Sequence, residues 1–103
     1  PLAPAPAPPR ERSEVAVAGK ILETYVGEYR LAPAFSIAVT LENGSLYVQA
    51  TGQERFPVFA ESETEFFLKV VDAQITFERD EAGVVTGLVL HQAGQHVPGM
   101  KVR

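Results

Sequence analysis

Cysteine is absent from the 103-residue chain, which excludes disulfides, thiolate metal ligands and a cysteine nucleophile. Basic residues are few: nine lysines and arginines stand against 13 acidic residues, for a net charge of −4 at pH 7. They are also scattered, so no surface is expected to attract a phosphate backbone, and nucleic acid is not predicted as a partner. No apolar run approaches the roughly 18 residues that a membrane-spanning helix needs, so no membrane span is predicted.

Proline is concentrated at the start of the chain. Five of residues 1–9 are proline, which forbids a helix and favours an extended, semi-rigid spacer, although the Pro-x-x-Pro character also suits an aromatic groove. We predict a Pro/Ala-rich linker over residues 1–13 and one folded domain over residues 14–103, with about 85 to 90 residues to form a core. Because the chain begins with Pro1 rather than Met, a signal peptide or a further domain is expected upstream.

Apolar periodicity changes along the folded part of the chain. Helical spacing predicts a short helix from about Ala18 to Tyr25, and beyond Gly27 the period becomes two, which is typical of β-strands. Asn43-Gly44 is a strong two-residue hairpin signal that places Leu41 opposite Leu46. The predicted strands cover about residues 28–31, 35–41, 46–50, 56–60, 65–70, 73–79, 84–92 and 95–102.

The predicted strands follow one another with tight loops. This arrangement predicts an all-β fold: a small eight-stranded antiparallel up-and-down barrel, closed over a filled or one-ligand interior, with a short N-terminal helix. A two-sheet sandwich is the alternative. The interior phenylalanines are expected to pack against one another rather than line a pocket, because protein interiors close at high density.

Several segments between Tyr25 and Val102 together resemble one family. They are Tyr25-Val-Gly-Glu-Tyr-Arg-Leu-Ala-Pro33, Gln49-Ala-Thr-Gly-Gln53, Glu61-Ser-Glu63, Phe66–Ile75 and Val85–Gln92. The chain resembles the small lipocalin-like domain of unknown function that occurs at the carboxyl end of many β-lactamase-like and penicillin-binding-protein-like serine hydrolases, and also as a secreted module. The resemblance implies a lipocalin-like barrel and a periplasmic or secreted location. It also implies a partner, either a β-lactamase-like serine hydrolase domain, in the same chain or co-encoded, or a second copy of the chain.

The catalytic motifs of such hydrolases are missing from the sequence. No serine is followed three residues later by lysine, so the nucleophile that an adjacent amine would activate is absent, as are Lys-Thr-Gly and Gly-x-Ser-x-Gly. We therefore predict that the domain is not an enzyme and carries no cofactor. The expected function is that of a non-catalytic accessory module that docks, oligomerises or shapes access to a hydrolase active site. The alternative is a barrel that binds a small-molecule or lipid-like ligand.

A polar cluster is predicted where three strands meet. A loop over residues 80–83 places Asp72 opposite His91, and a turn at residues 93–94 places His91 opposite His96, with Gln74 and Gln92 nearby. Two imidazoles and a carboxylate are ligand types for a divalent metal, which would suit a metal-dependent hydrolase. We prefer a hydrogen-bonded polar row without metal.

The turn assumed beside this cluster has an unfavourable residue. Ala93 resists the positive φ that a two-residue hairpin turn requires, and the family pattern often has Asn at this position. The family pattern includes His91 but not His96.

A second set of residues is a candidate ligand or interface surface. It consists of Gln49, Gln53, Phe67, Lys69 and Val71. The amine of Lys69 is expected on the outside of the barrel. Exposed apolar residues are expected to form a docking face, and the candidates are Phe59, Phe67, Val71 and Val89.

Overall fold

The computed structural model describes residues 14–103, so the predicted linker over residues 1–13 lies outside the described residues. The elements are helix α1 (Gly19–Glu23) and strands β1 (Gly27–Ala32), β2 (Phe35–Glu42), β3 (Ser45–Ala50), β4 (Arg55–Ala60), β5 (Glu65–Phe67), β6 (Ala73–Arg79), β7 (Val85–Gln92) and β8 (Gln95–Lys101). Each strand pairs antiparallel with the next, and β8 pairs with β1 to close the barrel. The predicted eight-stranded antiparallel barrel with a short N-terminal helix is confirmed, and the sandwich alternative is wrong.

Two hairpins have the predicted register. Asn43 and Gly44 have φ values of 51° and 80°, as the two central residues of a type I′ turn require, and Leu41 pairs with Leu46. The second turn has the same form, with φ of 53° at Ala93 and 76° at Gly94. Since its register also follows the prediction, His91 lies opposite His96.

The predicted register of β6 and β7 is wrong by two residues. Gln74, rather than Asp72, lies opposite His91. The β6–β7 connection is longer than predicted because the Asp80 carboxylate accepts hydrogen bonds from the amides of Ala82 and Val84, both at 2.9 Å, which builds a wider loop. A register shift at the end of β6 adds the second residue of the offset.

The largest difference from the predicted strand boundaries is at the end of β5. Strand β5 ends at Phe67 rather than at residue 70, and residues 68–72 form the loop to β6. The segment of residues 14–18 before α1 forms no strand. Instead, the amide of Val15 donates a single hydrogen bond of 2.8 Å to the carbonyl of Ala60 at the end of β4.

The up-and-down topology gives the barrel two ends of different character. The closed end carries helix α1 and the loops after β2, β4 and β6, whereas the open end carries the loops after β1, β3, β5 and β7. Tyr25, next to α1, fills the closed end: its ring stacks on Phe77 with centroids 4.1 Å apart and meets the edge of Phe66 at 5.7 Å. Its hydroxyl donates to the carbonyl of Glu63, and the Tyr29 hydroxyl donates to the Tyr25 carbonyl at 2.7 Å. The closed end is therefore packed with aromatic rings.

Candidate functional site

A cavity of about 140 Å³ opens at the open end of the barrel. Strand pairing places the small residues Ala50 and Ala73 on its wall, where they face Ile37 and Gln92 across their respective ladders. Little side-chain volume therefore reaches this end of the interior. The lining residues are Phe35, Ile37, Val48, Ala50, Gln53, Glu54, Phe56, Leu68, Val71, Ala73, Ile75, Leu90 and Gln92. The expectation that aromatic packing fills the interior is met at the closed end and is wrong at the open end.

Polar groups in this cavity are confined to its rim. They are the side chains of Gln53, Glu54 and Gln92, all exposed. Among residues 14–103, none of the three side chains has a hydrogen-bond or ion-pair partner, so their donors and acceptors face solvent. Glu54 was not predicted from the sequence as a site residue. Its position next to Gln53, between two predicted strands, could have indicated that it lies in a loop at one end of the barrel.

The predicted polar cluster is divided between two faces of the barrel. Gln92 lines the open-end cavity, whereas Gln74, His91 and His96 lie side by side on the outer face of β6, β7 and β8. Asp72 accepts a hydrogen bond of 2.9 Å from Gln74 Nε2. Since adjacent residues of a strand point to opposite faces, His91 and Gln92 cannot belong to one site.

The two imidazoles of the outer row are directly hydrogen-bonded. His91 Nδ1 lies 2.7 Å from His96 Nδ1, and His91 Nε2 lies 2.9 Å from the hydroxyl oxygen of Thr76. A bond between two Nδ1 atoms requires that one donates and the other accepts, so the pair shares a single proton at this contact. Within the described part of the chain, no group of three or more His, Cys, Asp or Glu residues is placed to hold a metal ion.

The second candidate set is also divided. Gln49 Nε2 donates to the backbone carbonyl of Gln53 at 2.9 Å, which ties the end of β3 to the loop that borders the cavity. Lys69 lies outside the barrel, as predicted: its Nζ is 3.3 Å from Glu14 Oε1 and 4.0 Å from the centre of the Phe59 ring. Val71 is 43% exposed and lines the cavity.

Phe67 is not the exposed interface residue that was predicted. It is buried, because its ring packs against Phe59 with centroids 5.9 Å apart, and the Lys69 ammonium covers Phe59 in turn. Phe59 and Val89 are half-buried, so Val71 is the one exposed member of the predicted apolar face. The large apolar side chains that are most exposed among residues 14–103 are Met100 at 69%, Val70 at 59% and Val84 at 58%.

Over residues 14–103, no helix combines the length and apolar character that crossing a membrane requires.

Comparison with known proteins finds similarity to one part of a much longer protein. The sequence is 30% identical over 98 residues to Penicillin-binding protein 4* of Bacillus subtilis (strain 168). The aligned region covers 95% of this chain and 22% of that protein. The chain therefore spans only about a fifth of the length of this relative. Residues 11–101 match the model of a domain of unknown function, DUF3471. Because this match includes all eight strands, the chain belongs to the DUF3471 family of domains of unknown function.

Proposed function

We propose that the domain is a non-catalytic accessory module of a serine hydrolase. It docks on a hydrolase domain, in the same chain or co-encoded, and thereby shapes access to the hydrolase active site. One observation carries the proposal: the similarity extends over 95% of this chain but only 22% of a penicillin-binding protein, so a related barrel forms one part of a longer protein. A periplasmic or secreted location belongs to the same proposal.

The two buried phenols, Tyr25 and Tyr29, do not offer a catalytic base or nucleophile. Burial raises the pKa of Tyr25 and also that of Tyr29 above the ordinary value of 10.0. A phenol that stays protonated at neutral pH is neither a base nor an activated nucleophile. Both hydroxyls donate to backbone carbonyls, which makes them part of the closed-end packing.

The docking surface that we propose is the loop of residues 68–72 at the open end. Val70 is 59% exposed and its neighbour Val71 is 43% exposed. Adjacent exposed valines beside a concave mouth form an apolar surface that burial against a partner would stabilise. A hydrolase domain is the proposed partner because a relative of this barrel occurs within a penicillin-binding protein.

The docking proposal is tested with the 103-residue chain and the hydrolase domain encoded with it. Val70→Asp should weaken binding about tenfold or more, because it places a charge in an apolar contact. Val84→Asp is the matched control, since Val84 is 58% exposed but lies in the loop after β6 at the closed end, and it should bind like the wild type. Equal affinity of wild type and Val70→Asp would remove this loop from the interface.

The non-catalytic part of the proposal has its own measurement. The purified chain should show no turnover of generic esters, peptides or β-lactams. Light scattering of the same sample tests whether the chain forms a homo-oligomer. If the chain forms a stable dimer and does not bind the hydrolase, its partner is a second copy of the chain rather than the hydrolase. Turnover that survives repurification would contradict the proposal.

A second candidate function is a barrel that binds a small-molecule or lipid-like ligand. The apolar cavity at the open end is the specific observation that favours it. Ligand binding in this cavity is compatible with docking. The cavity opens next to the docking loop, so a bound ligand would contact both the barrel and the hydrolase domain.

A further inference from the structure

We infer that the open-end cavity binds small amphiphiles whose apolar part is a single ring or a short alkyl group and whose polar end is a cation. The inference rests on the second candidate function and does not depend on docking to a hydrolase. Three features of the cavity lead to it: its volume, the rigidity of its wall and the charge on its rim.

The volume of the cavity limits the apolar part of the ligand. The cavity measures about 140 Å³. An engineered cavity of about 150 Å³ with a lining of Leu, Ile and Phe stays dry and binds benzene. The present lining is of the same kind, with Phe35, Leu68 and Ile75 among its members. One six-membered ring therefore fits, whereas a long acyl chain does not.

The wall of the cavity resists collapse. Ala50 and Ala73 lie within strands whose registers are set by ladders on both sides of the closed barrel. A barrel without edges cannot slide one strand inward to fill the space without breaking those ladders. The cavity therefore persists without ligand, and binding requires little reorganisation of the protein.

The rim determines the polar end of the ligand. The four open-end loops contain three charged residues: Glu54, Lys69 and Asp72. Lys69 is paired with Glu14 outside the barrel, and Asp72 is hydrogen-bonded to Gln74 on the outer face. Glu54 is thus the charge that lines the cavity, and it has no ion-pair partner among the described residues.

The chemistry of these groups selects among ligand classes. The Glu54 carboxylate attracts an ammonium and repels a carboxylate at the same position. Gln53 and Gln92 offer amide donors and acceptors beside it. A ring that carries an amine is therefore preferred to the same ring with a hydroxyl, and a ring that carries an acid is disfavoured.

Three matched probes test the inference: 2-phenylethylamine, 2-phenylethanol and 3-phenylpropionate, each titrated into the isotope-labelled 103-residue chain and followed by amide chemical shifts. The amine should bind with a Kd on the order of 1 mM, as expected for a ligand of about nine heavy atoms. The shifts should centre on Ile37, Ile75 and Leu90. The alcohol should bind about 2- to 5-fold more weakly, in keeping with a solvent-exposed charge, and the acid more weakly still.

Two kinds of variant separate the volume from the charge. Ala73→Leu fills the cavity and should abolish binding of the amine and the alcohol alike, with Ala50→Leu as a second filling variant in case the first fails to fold. Ala38→Leu is the matched control, because Ala38 lies on the outer face of β2, and it should bind like the wild type. Glu54→Gln should leave the alcohol unchanged and remove the advantage of the amine.

Several outcomes would overturn the inference. No shifts at about 10 mM probe, or shifts that persist in both filling variants, would show that the cavity is not the site. An acid that binds as well as the amine would show that Glu54 does not select the polar end. Light scattering that reveals a dimer whose contact excludes the probes would make a second copy the occupant of the mouth. By contrast, loss of hydrolase binding in Val70→Asp without change in probe binding would leave the inference standing and separate it from the docking proposal.

Discussion

The two ends of the barrel are built from the same strands but filled by side chains of very different size. At the closed end, Tyr25 and Phe77 stack at 4.1 Å and exclude solvent. At the open end, Ala50 and Ala73 leave a cavity of about 140 Å³. The closed topology holds both ends together, so packing density at one end is free to differ from that at the other. The aromatic packing that stabilises this small domain and the cavity proposed to bind a ligand therefore lie at opposite ends of the barrel.

The largest expected effect is the loss of a closed-end ring. Tyr25→Ala should lower the free energy of unfolding by about 3–5 kcal/mol, because it removes a fully buried aromatic side chain and leaves a cavity. Phe35→Ala at the open end should cost roughly 1–2 kcal/mol, since Phe35 is only half-buried. Urea unfolding of both variants checks the difference. Equal losses would show that the two ends contribute equally to stability.

Turn geometry should be equally strict at both ends. Gly44 at the closed end and Gly94 at the open end have φ values of 80° and 76°, where a β-branched residue is strained. Gly44→Val and Gly94→Val should each destabilise by about 1–2 kcal/mol in thermal melts. A variant as stable as its parent would mean that the turn at its end has another conformation in solution.

Alkaline pH should affect the closed end selectively. Burial raises the pKa of Tyr29 above the ordinary value of 10.0, so above pH 10 the unfolded phenol ionises while the folded phenol keeps its proton. Stability is therefore fully present below pH 10, and this tyrosine lowers it by about 1.4 kcal/mol per pH unit as the pH rises further. Urea midpoints at pH 9, 10 and 11 measure the slope. Tyr29→Phe should make the loss of stability with rising pH less steep. An unchanged slope would show that other groups cause the loss.

The smallest expected effect concerns the residue before each turn glycine. Asn43 suits its positive φ of 51°, whereas Ala93 adopts 53° against its preference. Ala93→Asn should stabilise by about 0.5–1 kcal/mol, and Asn43→Ala should destabilise by a similar amount. Thermal melts of the two single variants and the double variant check this symmetry. A destabilising Ala93→Asn would show that tertiary contacts, rather than φ, decide the residue at the open-end turn.

Local signals account for the parts of the fold that were predicted. Strand β6 has the predicted bounds, Ala73–Arg79, because its alternation of apolar and polar residues is a property of adjacent positions. The pairing of Leu41 with Leu46 follows from the Asn43-Gly44 turn for the same reason. The predicted register of β6 and β7 was wrong because the hydrogen bonds of Asp80 and the register shift at Arg79 lengthen the connection between the two strands. Neither feature produces a periodic pattern of residues, so neither could be recognised in the sequence.

The candidate site was only partly predictable. The opposition of His91 and His96 followed from a two-residue turn and is confirmed. Asp72 was misplaced by the β6–β7 offset, and Phe67 was assigned to the exposed surface although Phe59 packs against it. The register of each strand against the next depends on the length of the loop that joins them. One wrong loop length therefore shifts every predicted side-chain pair between those two strands.

The amino-acid sequence by itself determined the class of fold, the order of the eight strands and the two tight hairpin turns, since alternation and turn chemistry act between neighbouring residues. Only the tertiary structure decided which end of the barrel is filled and which end carries a cavity. That choice depends on how Tyr25 enters the interior from the helix end, while Ala50 and Ala73 line the opposite end. These residues are far apart in the chain, and only the closed circumference of the barrel brings their side chains into one interior.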